Sequence, residues 1–244
     1  MVSTQLNQPA FFLKLLHPRI QYSESIRPSF IYCLEDDLAE QTDQHVDGIR
    51  ECFQDWVSEI DVTFAERKLS FAENAKFLTF NYTSTLQVVY GFSDKQVLHI
   101  HGKAEAFDDL IFGHGDTMED EAGIDEYGEG NRTPFSDSEG AAKYPFYALQ
   151  KPVETILGTH ENFFESLGQI NEIVVIGHSL NKIDRPYFAR VAEKAPAARW
   201  TVCCFTVADE VNHVQAVVQC GVLRKQIRLC SYSDLGAGYI QPGT

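Results

Sequence analysis

Asparagine, histidine and serine recur in this sequence at the ends of short apolar runs, where a side chain can reach a ligand without leaving the core. Asn81 follows Phe77–Phe80, and His101-Gly102 follows Val97–Ile100. Gly113-His114-Gly115-Asp116 follows Leu110–Phe112, and Gly177-His178-Ser179 follows Glu172–Ile176. An amide can position water and hydroxyls, and an imidazole titrates near neutrality and can move a proton. A glycine at a strand end lets a ligand approach the backbone closely. The turn after Gly177 leads toward a helix, whose unpaired N–H groups and dipole favour phosphate. A tight strand-to-helix turn without ligand explains that turn equally well.

Each residue also has a structural reading. Asn81 or Thr83 suits the cap of the following helix, and Asp184, two residues before Pro186, suits the cap of another. His99 and His101 alternate, so they are expected on one side of their strand. His99 reads as a core histidine, and His101, at the strand end beside Gly102, as a functional one.

The elements that must position these groups follow from hydrophobic pattern. Brief runs that are apolar on both faces, with Trp200–Phe205 as the last, suit buried parallel strands. Ser84–Tyr90, Pro152–Leu167, Pro186–Glu193 and Asp209–Val218 read as intervening helices. The expected fold is α/β, a Rossmann-like, mostly parallel sheet with helices on both faces. In one open sheet the polar turns would share an edge, the place where such folds bind ligands. Residues 1–75 read as an N-terminal helical segment packing on the core, with Val46, Ile49, Phe53, Trp56, Val57 and Ile60 on one helical face. Residues 76–244 read as a nucleotide-binding-like domain, with an acidic insertion at 115–144 too long for a routine connection.

Composition narrows the function. At 244 residues and 44% hydrophobic side chains the chain can bury a full core. A net charge of −15, with nine acids against the single base Arg132 in 116–139, argues against binding a phosphate backbone. No nucleic-acid partner is therefore expected. Apolar runs such as Ile173–Ile176 fall far short of the roughly 20 residues that span a bilayer. With no secretory leader pattern, the expectation is a cytoplasmic protein with no membrane partner. Cys33, Cys52, Cys203, Cys204, Cys220 and Cys230 lack C-x-x-C spacing and read as reduced core residues.

Taken together, Phe80-Asn81-Tyr82-Thr83-Ser84-Thr85-Leu86 with Tyr90, His99-Ile100-His101-Gly102, Gly113-His114 and Gly177-His178-Ser179-Leu180 with Asp184, Tyr187 and Phe188 resemble the AbiH family of bacteriophage abortive-infection proteins. Leu149-Gln150-Lys151-Pro152 through Phe163-Phe164 is similar to that family as well. The same blocks resemble, more distantly, sirtuin-like nucleotide-binding proteins. That resemblance implies NAD as a substrate hydrolysed at the nicotinamide–ribose bond, with Asn81 and His101 catalytic. Tyr82, Gly102, Gly177, His178, Ser179 and Asp184 would contact the nucleotide, and no metal is expected. Members of these families open with a strand and a glycine-rich turn, typically GNGFD-like in AbiH, whereas no glycine precedes Gly48 here. The expectation is a shortened relative or a nucleotide held differently.

Two other functions stay open. His99, His101, His114, Asp116 and His178 could serve a metal-dependent hydrolase. A non-enzymatic sensing module, or a degenerate remnant, would instead take a phage or host protein as partner.

Overall fold

The computed structural model describes residues 28–106, 109–118 and 136–235. Its elements in chain order are α1 (Pro28–Ser58), β1 (Phe77–Thr79), α2 (Thr85–Val88), β2 (Val97–His99), α3 (Ser136–Ala148), α4 (Val153–Thr159) and α5 (Glu161–Glu165). There follow β3 (Glu172–Val175), α6 (Arg185–Lys194), β4 (Arg199–Cys204), α7 (Val207–Gln219), β5 (Ile227–Ser231) and α8 (Tyr232–Leu235). The described residues group into two compact units, one within Met1–Glu51 and Thr117–Leu149, the other within Cys52–Asp116 and Gln150–Thr244.

In the first unit, Thr42 donates its hydroxyl to the Ala141 carbonyl at 3.3 Å, and Arg50 donates to the Ala148 carbonyl at 3.0 Å. Leu34, Leu38 and Val46 are buried at four-residue multiples along α1. The face expected from the sequence is only partly inward, since Ile49 and Trp56 stay exposed while Val46 and Val57 are buried. Ser136–Ala148, which begins inside the acidic insertion expected at 115–144 and runs past its end, is a helix with Pro145 inside it. Its Gly, Ser and Pro content hid it, since these are weak helix formers. The remainder of the insertion, 119–135, lies outside the described residues, as do 1–27 of the N-terminal segment.

The second unit is mixed α/β. Its described strands form two short parallel sheets, β1-β2 and β3-β4-β5, rather than one open sheet. Thr79 stands opposite His99 in the first, and Val175 opposite Val202 in the second. Every residue of β4 after Arg199 is buried, as a central parallel strand requires. The run Leu110–Phe112 forms no strand. Its Ile111 N–H donates to the His101 carbonyl at 2.9 Å instead, and the Ile111 carbonyl accepts from the Tyr82 hydroxyl at 2.8 Å. One core joins Ile100, Phe164, Leu180, Tyr187, Trp200 and Val217, with Phe80 packed against it. Cys203, Cys204, Cys220 and Cys230 are buried and Cys33 and Cys52 exposed, all as free thiols.

Helix α7 starts at a reciprocal cap. Thr206 Oγ1 accepts from the Asp209 N–H at 3.3 Å, and the Asp209 carboxylate accepts from the Thr206 N–H at 2.8 Å. Substituting Thr206→Ala is expected to cost about 1 kcal/mol. Trp200→Ala, which empties the centre of the core, is expected to cost about 3–5 kcal/mol. Urea unfolding monitored by circular dichroism measures both, and equal losses would contradict this ranking.

Candidate functional site

The turns expected to carry chemistry meet around a buried aspartate in the second unit. Asp184 stands where a cap of α6 would stand, yet its side chain makes no capping bond. The carboxylate turns inward, 5% exposed, with Lys151 Nζ 3.3 Å from Oδ1 and His178 Nε2 3.4 Å from Oδ2. His101 Nε2 lies 3.9 Å from Oδ1, beyond hydrogen-bond reach. Burial alone would raise the Asp184 carboxyl, but the His178 hydrogen bond and the Lys151 charge outweigh it and hold the group below the ordinary carboxylate value.

The turn after β3 is built to aim His178. Gly177 has φ +69°, where glycine is favoured, and Leu180 has φ +52°, a conformation that costs a side-chain-bearing residue about 1–2 kcal/mol. In return the Leu180 N–H donates to His178 Nδ1 at 2.8 Å. A nitrogen that accepts carries no proton, so the proton of neutral His178 sits on Nε2 and faces Asp184. Ser179, on the same turn, is exposed.

Lys151 arrives from a third direction. Its N–H donates to the His114 carbonyl at 2.9 Å, and His114 bridges Gln150 in parallel register. Gly115 closes the same turn against Ile183, since a Cβ there would stand 2.7 Å from Ile183 Cγ1. Lys151 is not legible in the sequence as a site residue, because a lone lysine before proline signals nothing by itself. Its position in Leu149-Gln150-Lys151-Pro152 was the available hint.

His101 and His99, expected on one side of one strand, part company. The strand stops at His99, and the Gly102 N–H returns to the His99 carbonyl at 3.1 Å, with Gly102 at φ +90°. His99 Nδ1 donates to the Asn81 carbonyl at 2.9 Å, which leaves Nε2 to accept from the Gln87 amide at 3.0 Å. This histidine fixes the Asn81 backbone, whose N–H meets Thr79 Oγ1 at 3.1 Å, and leaves residue 81 exposed. His101 is 3% exposed, and its buried Nε2 has no hydrogen-bond partner among the described residues; neither has the buried Tyr187 hydroxyl. Burial, then the Lys151 charge, push His101 down to about 4 against the pull of Asp184. Burial, then Asp184, push Tyr82 up to about 12 and raise Tyr187.

Phe80 joins the turns, with its ring 4.3 Å from that of His178, 5.5 Å from that of His101 and 5.8 Å from that of Tyr187. Tyr82 lies near-parallel to the His101 ring at 6.3 Å. Thus Asn81 is flanked by two side chains that both touch His101, and one of them also touches His178.

The family described as bacteriophage abortive infection AbiH matches over residues 14–204. This chain belongs to the AbiH family. The curated proteins and the solved structures gave no match. The AbiH match spans every residue of the cluster, from Phe80 to Phe188. Among the described residues no group of three or more His, Cys, Asp or Glu side chains is placed to hold a metal ion. Beside Asp184 the position a cation would take is filled by the Lys151 ammonium, so the metal-dependent reading is not favoured. Nor is the start of α6 rich in donors for phosphate. Pro186 has no N–H, and the Tyr187 N–H donates to the Asp184 carbonyl at 3.1 Å.

Removing Asp184 strands a buried ammonium. Asp184→Ala is expected to lose about 3–5 kcal/mol of stability, and Lys151→Met in the same chain to recover most of it. Urea unfolding of the single and double variants tests this, and additive losses would rule out the pairing. His101 gives the cluster a pH signature. Between its ordinary value of 6.5 and about 4 the unfolded chain takes up the proton and the folded one does not. Stability therefore falls as pH drops through that window, by about 3 kcal/mol for this group. The difference between wild type and His101→Gln in unfolding free energy should shrink from pH 7 to pH 4, and a constant difference would refute the assignment.

Proposed function

We propose that this AbiH-family protein acts in bacteriophage abortive infection, and that the cluster around His101 hydrolyses NAD at the nicotinamide–ribose bond on a Rossmann-like, distantly sirtuin-like framework. The observation that carries the reading is the uncommitted Nε2 of buried His101, next to Phe80 and Tyr82 on either side of Asn81. A buried nitrogen left without a partner costs free energy and calls for an explanation, of which a catalytic role is one.

The chemistry asks little of the protein. Nicotinamide departs as a neutral base, so no acid is needed, and the ribose passes through an oxocarbenium-like state. Water then adds to the anomeric carbon and gives up a proton, leaving ADP-ribose, nicotinamide and a proton as products. On this reading Asn81 positions water and ribose hydroxyls, and His101 Nε2 takes the proton. The imidazolium formed is stabilised by Asp184, 3.9 Å away. Tyr82, Gly102, Gly177, His178, Ser179 and Asp184 line or shape the nucleotide side. Because α6 offers few free donors at its start, the diphosphate falls to the backbone of Gly177 and to Ser179.

A sensing module without catalysis is the second reading. The deep burial of His101 and its low basicity favour it, since a base of that strength adds less than one titrating near 7. Here the partner is a phage or host protein.

Purified protein incubated with NAD should release nicotinamide, and His101→Ala and Asn81→Ala should each lower the rate by about 10²-fold or more. Plaque counts on cells carrying wild type or His101→Ala read the defence arm. Protection that survives without turnover would sink the enzymatic claim and leave the sensing one.

A further inference from the structure

Helix α7 carries more apolar surface than the described residues cover. Its inner side buries His213, Ala216 and Val217, as an amphipathic surface helix should. Such a helix needs only one apolar stripe, and α7 has a second. Val207 is 79%, Val211 72% and Val218 42% exposed, with Val214 between them half-buried at the edge of the core. These valines are spaced four, three and four apart, the alternation of a and d positions in a heptad. That pattern makes a narrow seam of the kind one helix buries against another. Phe205 just before the helix and Leu223 just after it are exposed as well.

We propose that this seam is a homodimer interface in which α7 of one copy lies antiparallel to α7 of a second copy across a twofold axis. Charge selects both the occupant and its direction. The first turn of α7 carries Asp209 and Glu210, while the 3-10 turn Arg224–Gln226 beyond its other end carries Arg224 and Lys225. Antiparallel pairing sets the acidic turn of each copy toward the basic turn of the other, twice by symmetry, and opposes the helix dipoles favourably. Parallel pairing would set acid against acid. In a chain of net charge −15, whose copies repel one another, that local attraction decides which arrangement forms.

Light scattering on the full chain over a range of concentrations should give the mass of two chains, falling to one on dilution. Val211→Glu should raise the dissociation constant about tenfold or more with an unchanged circular dichroism spectrum, because Val211 is not buried in the single chain. Glu210→Lys and Lys225→Glu should each weaken the dimer, and the two together should restore it. A wild-type chain that stays single at the highest concentration reached overturns the proposal. A Val211→Glu chain that dimerises as well as wild type does the same. So does a single chain whose 207–218 amides resist hydrogen exchange up to the solvent-facing valines, which would mean that a segment of the same molecule covers the seam. A dimer indifferent to the charge exchange refutes the antiparallel arrangement.

Discussion

A carboxylate taken out of water must recover its lost hydration from its neighbours, and in this molecule that requirement organises the site. Asp184 is met by an ammonium on one oxygen and an imidazole N–H on the other. The groups come from the segment before α4, the turn after β3 and the start of α6, so none of these can move without exposing an uncompensated charge. The strained φ of Leu180 belongs to the same arrangement. Only with that residue turned left-handed does its N–H reach His178 Nδ1 and put the proton where Asp184 needs it.

The surroundings that strengthen this pairing also decide the state of His101. Low polarity disfavours a second positive charge, and Lys151 already supplies one, so the ring stays neutral far below its usual range. Neutrality makes Nε2 available, while the same burial weakens it as a base. The two effects cannot be separated by moving His101 outward, because its position is shared with Phe80, Tyr82 and Tyr187. Any chemistry here must rely on placement more than on basicity.

Much of the framework could be read from hydrophobic runs. Phe77–Phe80, Val97–Ile100, Glu172–Ile176 and Trp200–Phe205 each contain or largely coincide with a strand, because buried parallel strands need unbroken apolar sequence. β5 escapes the pattern because the exposed Arg228 separates Ile227 from Leu229 and Cys230, which leaves no unbroken apolar run. The division into two sheets was invisible because pairing is a tertiary choice, and Leu110–Phe112 spends its hydrogen bonds on His101 and Tyr82 rather than on a ladder. Among site residues, the sequence placed Asn81, His101 and His178 just after apolar runs, but on one shared sheet edge; in the fold it is Phe80, packed on the rings of His101 and His178, that joins turns from two separate sheets. The role of Asp184 was not foreseeable: an acid two residues before a helical proline signals a cap, and only the folded chain reveals a lysine behind it.

Three histidines in this region show why residue type could not settle their chemistry. His99 has one nitrogen on the Asn81 carbonyl and the other on Gln87, so it is a strut. His178 has one on the Leu180 N–H and the other on Asp184, so it is a relay of orientation, fixed in one tautomer. His101 alone of the three keeps a buried nitrogen that no described residue satisfies. Each role follows from what the second nitrogen meets, and this is decided by where the strand stops. Ending β2 at His99 turns the next histidine away from the sheet and into the cluster, and the left-handed conformation of Gly102 makes that ending possible.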